Sequence, residues 1–218
     1  MHFVIFAAPW FSENATRFIE ATLGVPGVRV AVVSQEPQEY MRPDLRERLA
    51  AHWRVENIFD PGQLAHAARQ LSNHFGPVHR LYGAYEQLQV PLAEAREMLG
   101  VEGMSAEAAH NFRDKSRMKD VLREAGVPCA RHGLAHDEGE ARDFVREVGF
   151  PVVVKPPAGA GAQGTFRVDD DAAFGEAIRI SAPTHEQPVL IEEFITGEEH
   201  SLETISVGGR AVWHSLTH

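Results

Sequence analysis

Apolar residues in this chain come in two kinds of block. Short unbroken runs, at Phe3 to Ala8, Val28 to Val33, Val152 to Val154 and Val189 to Ile191, are bounded by Pro, Gly or polar residues, which predicts buried strands. Other blocks repeat at helical spacing behind a capping residue. Ser12 precedes Ala15, Phe18, Ile19, Thr22 and Leu23; Asp60-Pro61-Gly62 precedes Leu64, Ala67, Ala68, Leu71 and Phe75. Asp137 and Glu140 form a capping-box-like pair before Ala141, Phe144, Val145 and Val148, and Asp169-Asp170-Asp171 precedes Phe174, Ala177 and Ile178. Met118, Val121, Leu122 and Ala125 form a further stripe, stopped by Gly126-Val127-Pro128. Weaker patterns predict a helix over 45–51, a third strand over 53–58, a strand over 78–85, a helix from Pro91 to Leu99, and a short helix starting at Gly103-Met104-Ser105. The β-α-β beginning argues for a parallel sheet in an α/β unit.

The stretch that organises the second half runs from Phe150 to Val168: a β-branched strand ending in Lys155, a loop with Gly159, Gly161 and Gly164, then Thr165-Phe166-Arg167-Val168, which is strand-like. Glycines leave backbone amides free to approach an anion, so a phosphate is the natural occupant; an ordinary Gly/Pro hairpin with a surface lysine is the alternative. The glycines spell G-x-G-x-x-G, but a dinucleotide fingerprint needs a helix directly afterwards. A Walker loop would place Lys and Ser or Thr after the last glycine, and a kinase loop has its lysine one strand later. The remaining reading is a strand-loop-strand flap with its lysine at the entry.

Near the end, Val189-Leu190-Ile191 runs into Glu192-Glu193-Phe194-Ile195, turns at Gly197 and resumes as alternating residues from Ser201 to Ile205; Gly208-Gly209 then turns the chain back through Ala211 to Leu216. This predicts a hinge between two sheets. Phe194 and Ile195 can flank a planar base, backbone groups can read its edge, and Glu199 can accept from ribose hydroxyls. Lys115 stands in the first turn of a helix, where a cation opposes the helix dipole; a bound anion would explain it, and so would a solvated lysine beside Asp114. Glu86 follows the fourth strand at the carboxyl edge of the sheet, as a substrate contact or a helix-start carboxylate.

Composition changes this picture little. With 218 residues, 44% of them hydrophobic, the chain can bury a core, and a net charge of -10 without a basic stretch excludes a nucleic-acid or anionic-membrane surface. The single Cys129 rules out an internal disulfide framework, fits a reducing cytoplasm, and reads as a small buried hydrophobe. Phe3 to Ala8 lacks a basic leader and is not read as a signal peptide, and no apolar segment approaches membrane-spanning length. The twelve histidines show no zinc-type spacing, and the Asp169 to Asp171 triplet is read as a helix start.

Arg113-Asp114-Lys115 before a helix ending Gly126-Val127-Pro128, the strand Val152-Val153-Val154-Lys155-Pro156, the flap Gly159 to Gly164, and Leu190 to Glu203 occur in an order that resembles the ATP-grasp superfamily over residues 111–218. The resemblance implies an N-terminal open parallel α/β (pre-ATP-grasp) domain over 1–105, connecting helices over 106–127, a small α+β lid subdomain over 128–193, and over 194–218 a hinge and the first hairpin of an incomplete C-terminal lobe. It also implies that Lys115 and Lys155 contact the phosphates of ATP, that Gly159, Gly161 and Gly164 close over them, that Glu192, Glu193, Phe194 and Ile195 frame adenine, and that Glu199 holds the ribose. His200 stands where biotin-carboxylase-like members carry a histidine, whereas Glu199 stands where they carry arginine, which favours the amino-acid ligase branch.

The implied reaction makes an acyl phosphate from a small-molecule carboxylate and ATP, with Mg²⁺ on the triphosphate, followed by attack of an amine substrate. No catalytic residue and no metal ligand is assigned within 1–218: the magnesium-binding Glu and Asn and the arginine of the acyl phosphate would lie beyond the Gly208-Gly209 turn. The expectation is therefore a fragment or truncation, inactive alone, in which an exposed edge over 207–216 favours a homodimer. A biotin-carboxylase-like enzyme and a non-catalytic nucleotide-binding module are the alternatives.

Overall fold

A computed structural model describes residues 1–159 and 162–218. The chain forms two compact units: Met1–Pro128 together with the segment that begins at Pro157, and Cys129–Pro156 together with the segment that runs on to His218.

In the first unit, β1 (His2–Ala8), β2 (Val28–Ser34), β3 (Ala51–Arg54) and β4 (Val78–Tyr82) form a parallel sheet in the order β3-β2-β1-β4. The apolar runs of β1 and β2 are its buried centre. Helix α1 (Glu13–Leu23) starts at Ser12, whose hydroxyl accepts from the Ala15 N–H, and contributes Ala15 and Ile19 to the core. Helix α3 (Pro61–Phe75) starts at Asp60, whose carboxylate accepts from Gly62 and Gln63. It packs Leu64, Ala67, Ala68 and Leu71 with Leu88 and Leu92, the latter from α4 (Gln89–Leu99).

Three weaker expectations shift. The helix expected over 45–51 is only α2 (Pro43–Arg46), and β3 begins at Ala51, two residues before the predicted strand; Val55 and Ile58 are core residues of the loop that follows. Strand β4 ends at Tyr82, and Gly83 after it passes close to β1: a Cβ there would lie 2.6 Å from the Ala7 carbonyl oxygen. Helix α5 (Ala106–Arg113) starts at Ser105 as predicted, and α6 (Lys115–Glu124) starts at Asp114. The expected apolar stripe of α6 forms no core seam. Val121 is 45% exposed, and the only buried residue of that helix is Ser116.

The second unit holds an antiparallel sheet in the order β5-β8-β6-β7, made of β5 (His132–Ala135), β6 (Val152–Lys155), β7 (Phe166–Val168) and β8 (Val189–Glu193). Its helices are α7 (Glu138–Val148) and α8 (Asp171–Ser181). Asp137 caps α7, and the Glu140 carboxylate reaches back to the N–H and Nδ1 of His136. Asp170 caps α8, so the aspartate triplet is a helix start. Because side chains alternate along a strand, Val152, Val154, Val168, Val189, Ile191 and Ala135 line one face and pack with Phe174, Ala177 and Val145 of the helices. The last element is a separate antiparallel hairpin, β9 (Ser201–Val207) and β10 (Arg210–Thr217), turning at Gly208 and Gly209, both with positive φ. The predicted transition between two sheets therefore falls between β8 and β9. Strand β5 was not anticipated, and Cys129 is half-buried rather than buried.

Candidate nucleotide site

The same alternation that gives the second sheet its core face gives its other face the charges. Across the strands, His132, Glu192, Val153 and Arg167 occupy one row of register partners, and Lys155 lies two residues along from Val153. Lys155 is opposite Leu190, so Glu192 is its diagonal neighbour on β8, within reach of a long side chain. The Lys155 Nζ stands 2.7 Å from Glu192 Oε2, with the two side chains only 19% and 9% exposed. A lysine and a glutamate this far from water hold each other's charge and fix each other's rotamers.

Around that pair the structure adds two arginines that the sequence reading did not single out. The Arg167 guanidinium lies 4.3 Å from the centre of the Phe194 ring, covering one of its faces as a cation–π contact. Arg131 donates both its backbone N–H and its Nε to the Glu193 carboxylate, each at 2.8 Å. The Glu193 N–H in turn donates to the Arg131 carbonyl, and the Phe194 N–H donates to the Pro151 carbonyl. Two of the backbone donors expected to read a base edge are therefore engaged within the unit. Ile195, Glu199 and His200 are exposed. The signal for Arg167 was the alternation in Phe166-Arg167-Val168, which sends the arginine away from the core face; Arg131 lies 62 residues from its partner and carried no local signal.

Lys115 and Gly159 are brought together in the first unit. The Lys115 Nζ donates to the Gly159 carbonyl at 2.8 Å, and the Lys115 N–H donates to the Pro157 carbonyl at 2.9 Å. The lysine thus clasps the glycine segment from the first turn of α6, using one of the helix's orphan amides and its ammonium together. This is a third explanation for a cation at a helix start, beyond the two considered from sequence. Asp114 caps the helix through the N–H groups of Ser116 and Arg117. Glu86 opens a 3-10 turn, Glu86–Leu88, and pairs with Arg113 Nη1 at 3.0 Å, so its carboxylate has a structural partner. On the far side of the flap, Gly164 has φ +67 and lies against the Pro156 ring, a conformation that suits glycine. Gly161 lies outside the described residues.

The second unit thus sets a strand ending in a lysine and a charged sheet face beside the Phe194 ring. Residues 114–205 match the family model described as carbamoyl-phosphate synthase L chain, ATP binding domain. Over those residues the chain is similar in sequence to an ATP-binding domain of the ATP-grasp kind. Among relatives, the carbamoyl phosphate synthase large chain of Streptomyces coelicolor is 34% identical over 139 residues, which are 61% of this chain and 12% of that protein. Alanine–anticapsin ligase of Bacillus subtilis is 34% identical over 119 residues, 50% of this chain and 25% of that protein. The crystal structure of an L-amino acid ligase from Bacillus licheniformis shares the fold with a TM-score of 0.68 at 21% identity, covering 97% of this chain and 48% of that one. The chain thus spans a quarter or less of these two curated relatives and about half of that structure.

Proposed function

We propose that this chain is the ATP-binding portion of an ADP-forming carboxylate–amine ligase. The observation that carries the reading is the Lys155–Glu192 pair, set at 2.7 Å on the sheet face opposite the core and directly before a glycine flap. In this reading Lys155 and Lys115 exchange part of their present contacts for phosphate oxygens, which are stronger acceptors than a carbonyl because they are charged. Gly159, Gly161 and Gly164 approach the phosphates, adenine lies on the open face of Phe194 beside Glu192, Glu193 and Ile195, and Glu199 with His200 meets the ribose. A carboxylate oxygen of the substrate then attacks the γ-phosphorus as the bond to ADP breaks. The amine nitrogen attacks the resulting acyl phosphate, and inorganic phosphate leaves.

Mg²⁺ would neutralise charge on the triphosphate. The buried site carboxylate, Glu192, is already held by Lys155, so the site residues assigned here do not make a magnesium site by themselves, and no step is drawn through the metal. The likeness to alanine–anticapsin ligase and to the L-amino acid ligase fold supports amino-acid substrates. The hairpin side chains Leu202, Val212, Trp213 and Leu216 are each at least 50% exposed, which supports association with a second copy. Among the described residues no helix is long and apolar enough to cross a membrane; a cytoplasmic setting remains part of the proposal.

The test is ADP release by the full-length protein against panels of carboxylates and amines. ADP formation that requires both an amino acid and an amine supports the proposal. A requirement for bicarbonate and biotin assigns the carboxylase branch instead, and nucleotide binding without turnover under any pairing assigns a non-catalytic module.

A further inference from the structure

The hairpin brings together side chains that neither the sequence motifs nor the nucleotide reading uses as a set. The β9–β10 ladder runs from Arg210↔Val207 to Thr217↔Ser201, so the next residues outward, His200 and His218, face each other across the open end of the hairpin. Their ring centroids are 4.8 Å apart. Glu198 lies two residues before His200, and its Oε2 is 3.7 Å from His200 Nε2. Among the described residues this is the one group in which three His, Cys, Asp or Glu donor atoms converge within 4.8 Å of one another.

We propose that Glu198, His200 and His218 bind a divalent transition metal of the zinc class. Two imidazoles and a carboxylate suit Zn²⁺, Cu²⁺ or Ni²⁺, whereas Mg²⁺ prefers oxygen ligands alone. With zinc–ligand bonds of about 2.0–2.2 Å, donors in a tetrahedral shell sit about 3.3 Å apart. The donor atoms already lie within 4.8 Å of one another, on three exposed side chains. Three protein ligands leave a fourth position for water. The metal would clip the turn after Gly197 to the end of β10, where the backbone ladder stops. A second histidine pair, His136 and His185, has ring centroids 5.0 Å apart, but its nearby carboxylate, Glu140, already accepts from the N–H and ring of His136. That pair is the internal control.

The inference shares His200 with the proposed ribose contact but needs no nucleotide, so its test is run without ATP. Metal-free chain, without ATP, is titrated with Zn²⁺ by calorimetry and with Co²⁺ by visible absorption, as wild type and as His218→Ala, Glu198→Gln, His214→Ala and His185→Ala. The expected result is one high-affinity equivalent with low-coordinate Co²⁺ absorption. Affinity should fall roughly ten-fold or more in His218→Ala and Glu198→Gln, since losing a ligand costs at least as much as losing an outer-sphere partner, and should hold in His214→Ala and His185→Ala. Equal affinity in wild type and His218→Ala overturns the proposal, as does loss of the site in His185→Ala.

Discussion

Lys155 on β6 and Glu192 on β8 are diagonal neighbours whose charged atoms meet at 2.7 Å on the sheet face opposite the core. With both side chains largely withdrawn from water, removing the lysine takes a close cation away from a buried carboxylate. Lys155→Met should lower stability by about 3 kcal/mol, and adding Glu192→Gln should recover much of that loss. Chemical denaturation of the two single variants and the double variant measures the coupling; additive effects would show that the pair is not an energetic unit.

Lys115 clasps the glycine segment through its ammonium and its backbone N–H. Lys115→Met keeps the second contact and removes the first, so the amides of Ala158 and Gly159 should exchange faster while those of α3 are unchanged. Hydrogen exchange resolved by peptide reads this directly.

Gly133 on β5 faces Phe144 of α7, and a Cβ there would lie 2.8 Å from the ring. Gly133→Ala should cost about 1–3 kcal/mol through overpacking. Combining it with Phe144→Leu should return part of the loss, as thermal unfolding of the three variants would show.

His52 on β3 donates through Nε2 to Ser34 Oγ, whose own hydrogen goes to the Glu36 carbonyl; the donor and acceptor roles follow from that chain. Burial pushes the imidazole below its ordinary value of 6.5, with Arg54 adding to the effect and Glu39 opposing it. The unfolded chain therefore binds this proton first as pH falls. Stability is intact above pH 6.5, declines as pH drops below it, and stops declining once pH is below the folded-state value. His52→Gln should flatten that part of the curve, measured as denaturation midpoint against pH from 7.5 to about 5.

Capped helices and the lysine-ended strand were legible because their signals are local. Ser12, Asp60, Asp137 and Asp170 each accept from amides two or three residues ahead, and the run Val152 to Lys155 carries its own boundaries. Strand β5 was not legible: His132-Gly133-Leu134-Ala135 is an edge strand with one glycine and no apolar run, held by pairing with β8, nearly sixty residues away. Strand β3 was misplaced for a related reason, since Ala51 to Arg54 is fixed by its ladder to Ala31 to Ser34 rather than by its own pattern. Of the candidate site, Lys115, Lys155 and the Glu192 to Ile195 segment carry local sequence signals. The contacts of their partners Arg131 and Arg167 carry none, because a cation beside a carboxylate or a ring is a tertiary fact.

The central claim is that the charged face of the second sheet holds ATP. Its most direct test is residue-resolved NMR shift mapping of this chain during titration with Mg·ATP. The account predicts changes at Lys115, Lys155, Gly164, Arg167 and Glu192 to Ile195, with α3 and α4 unaffected. Silence at those residues, or changes confined to the carboxyl edge of the parallel sheet, would contradict it.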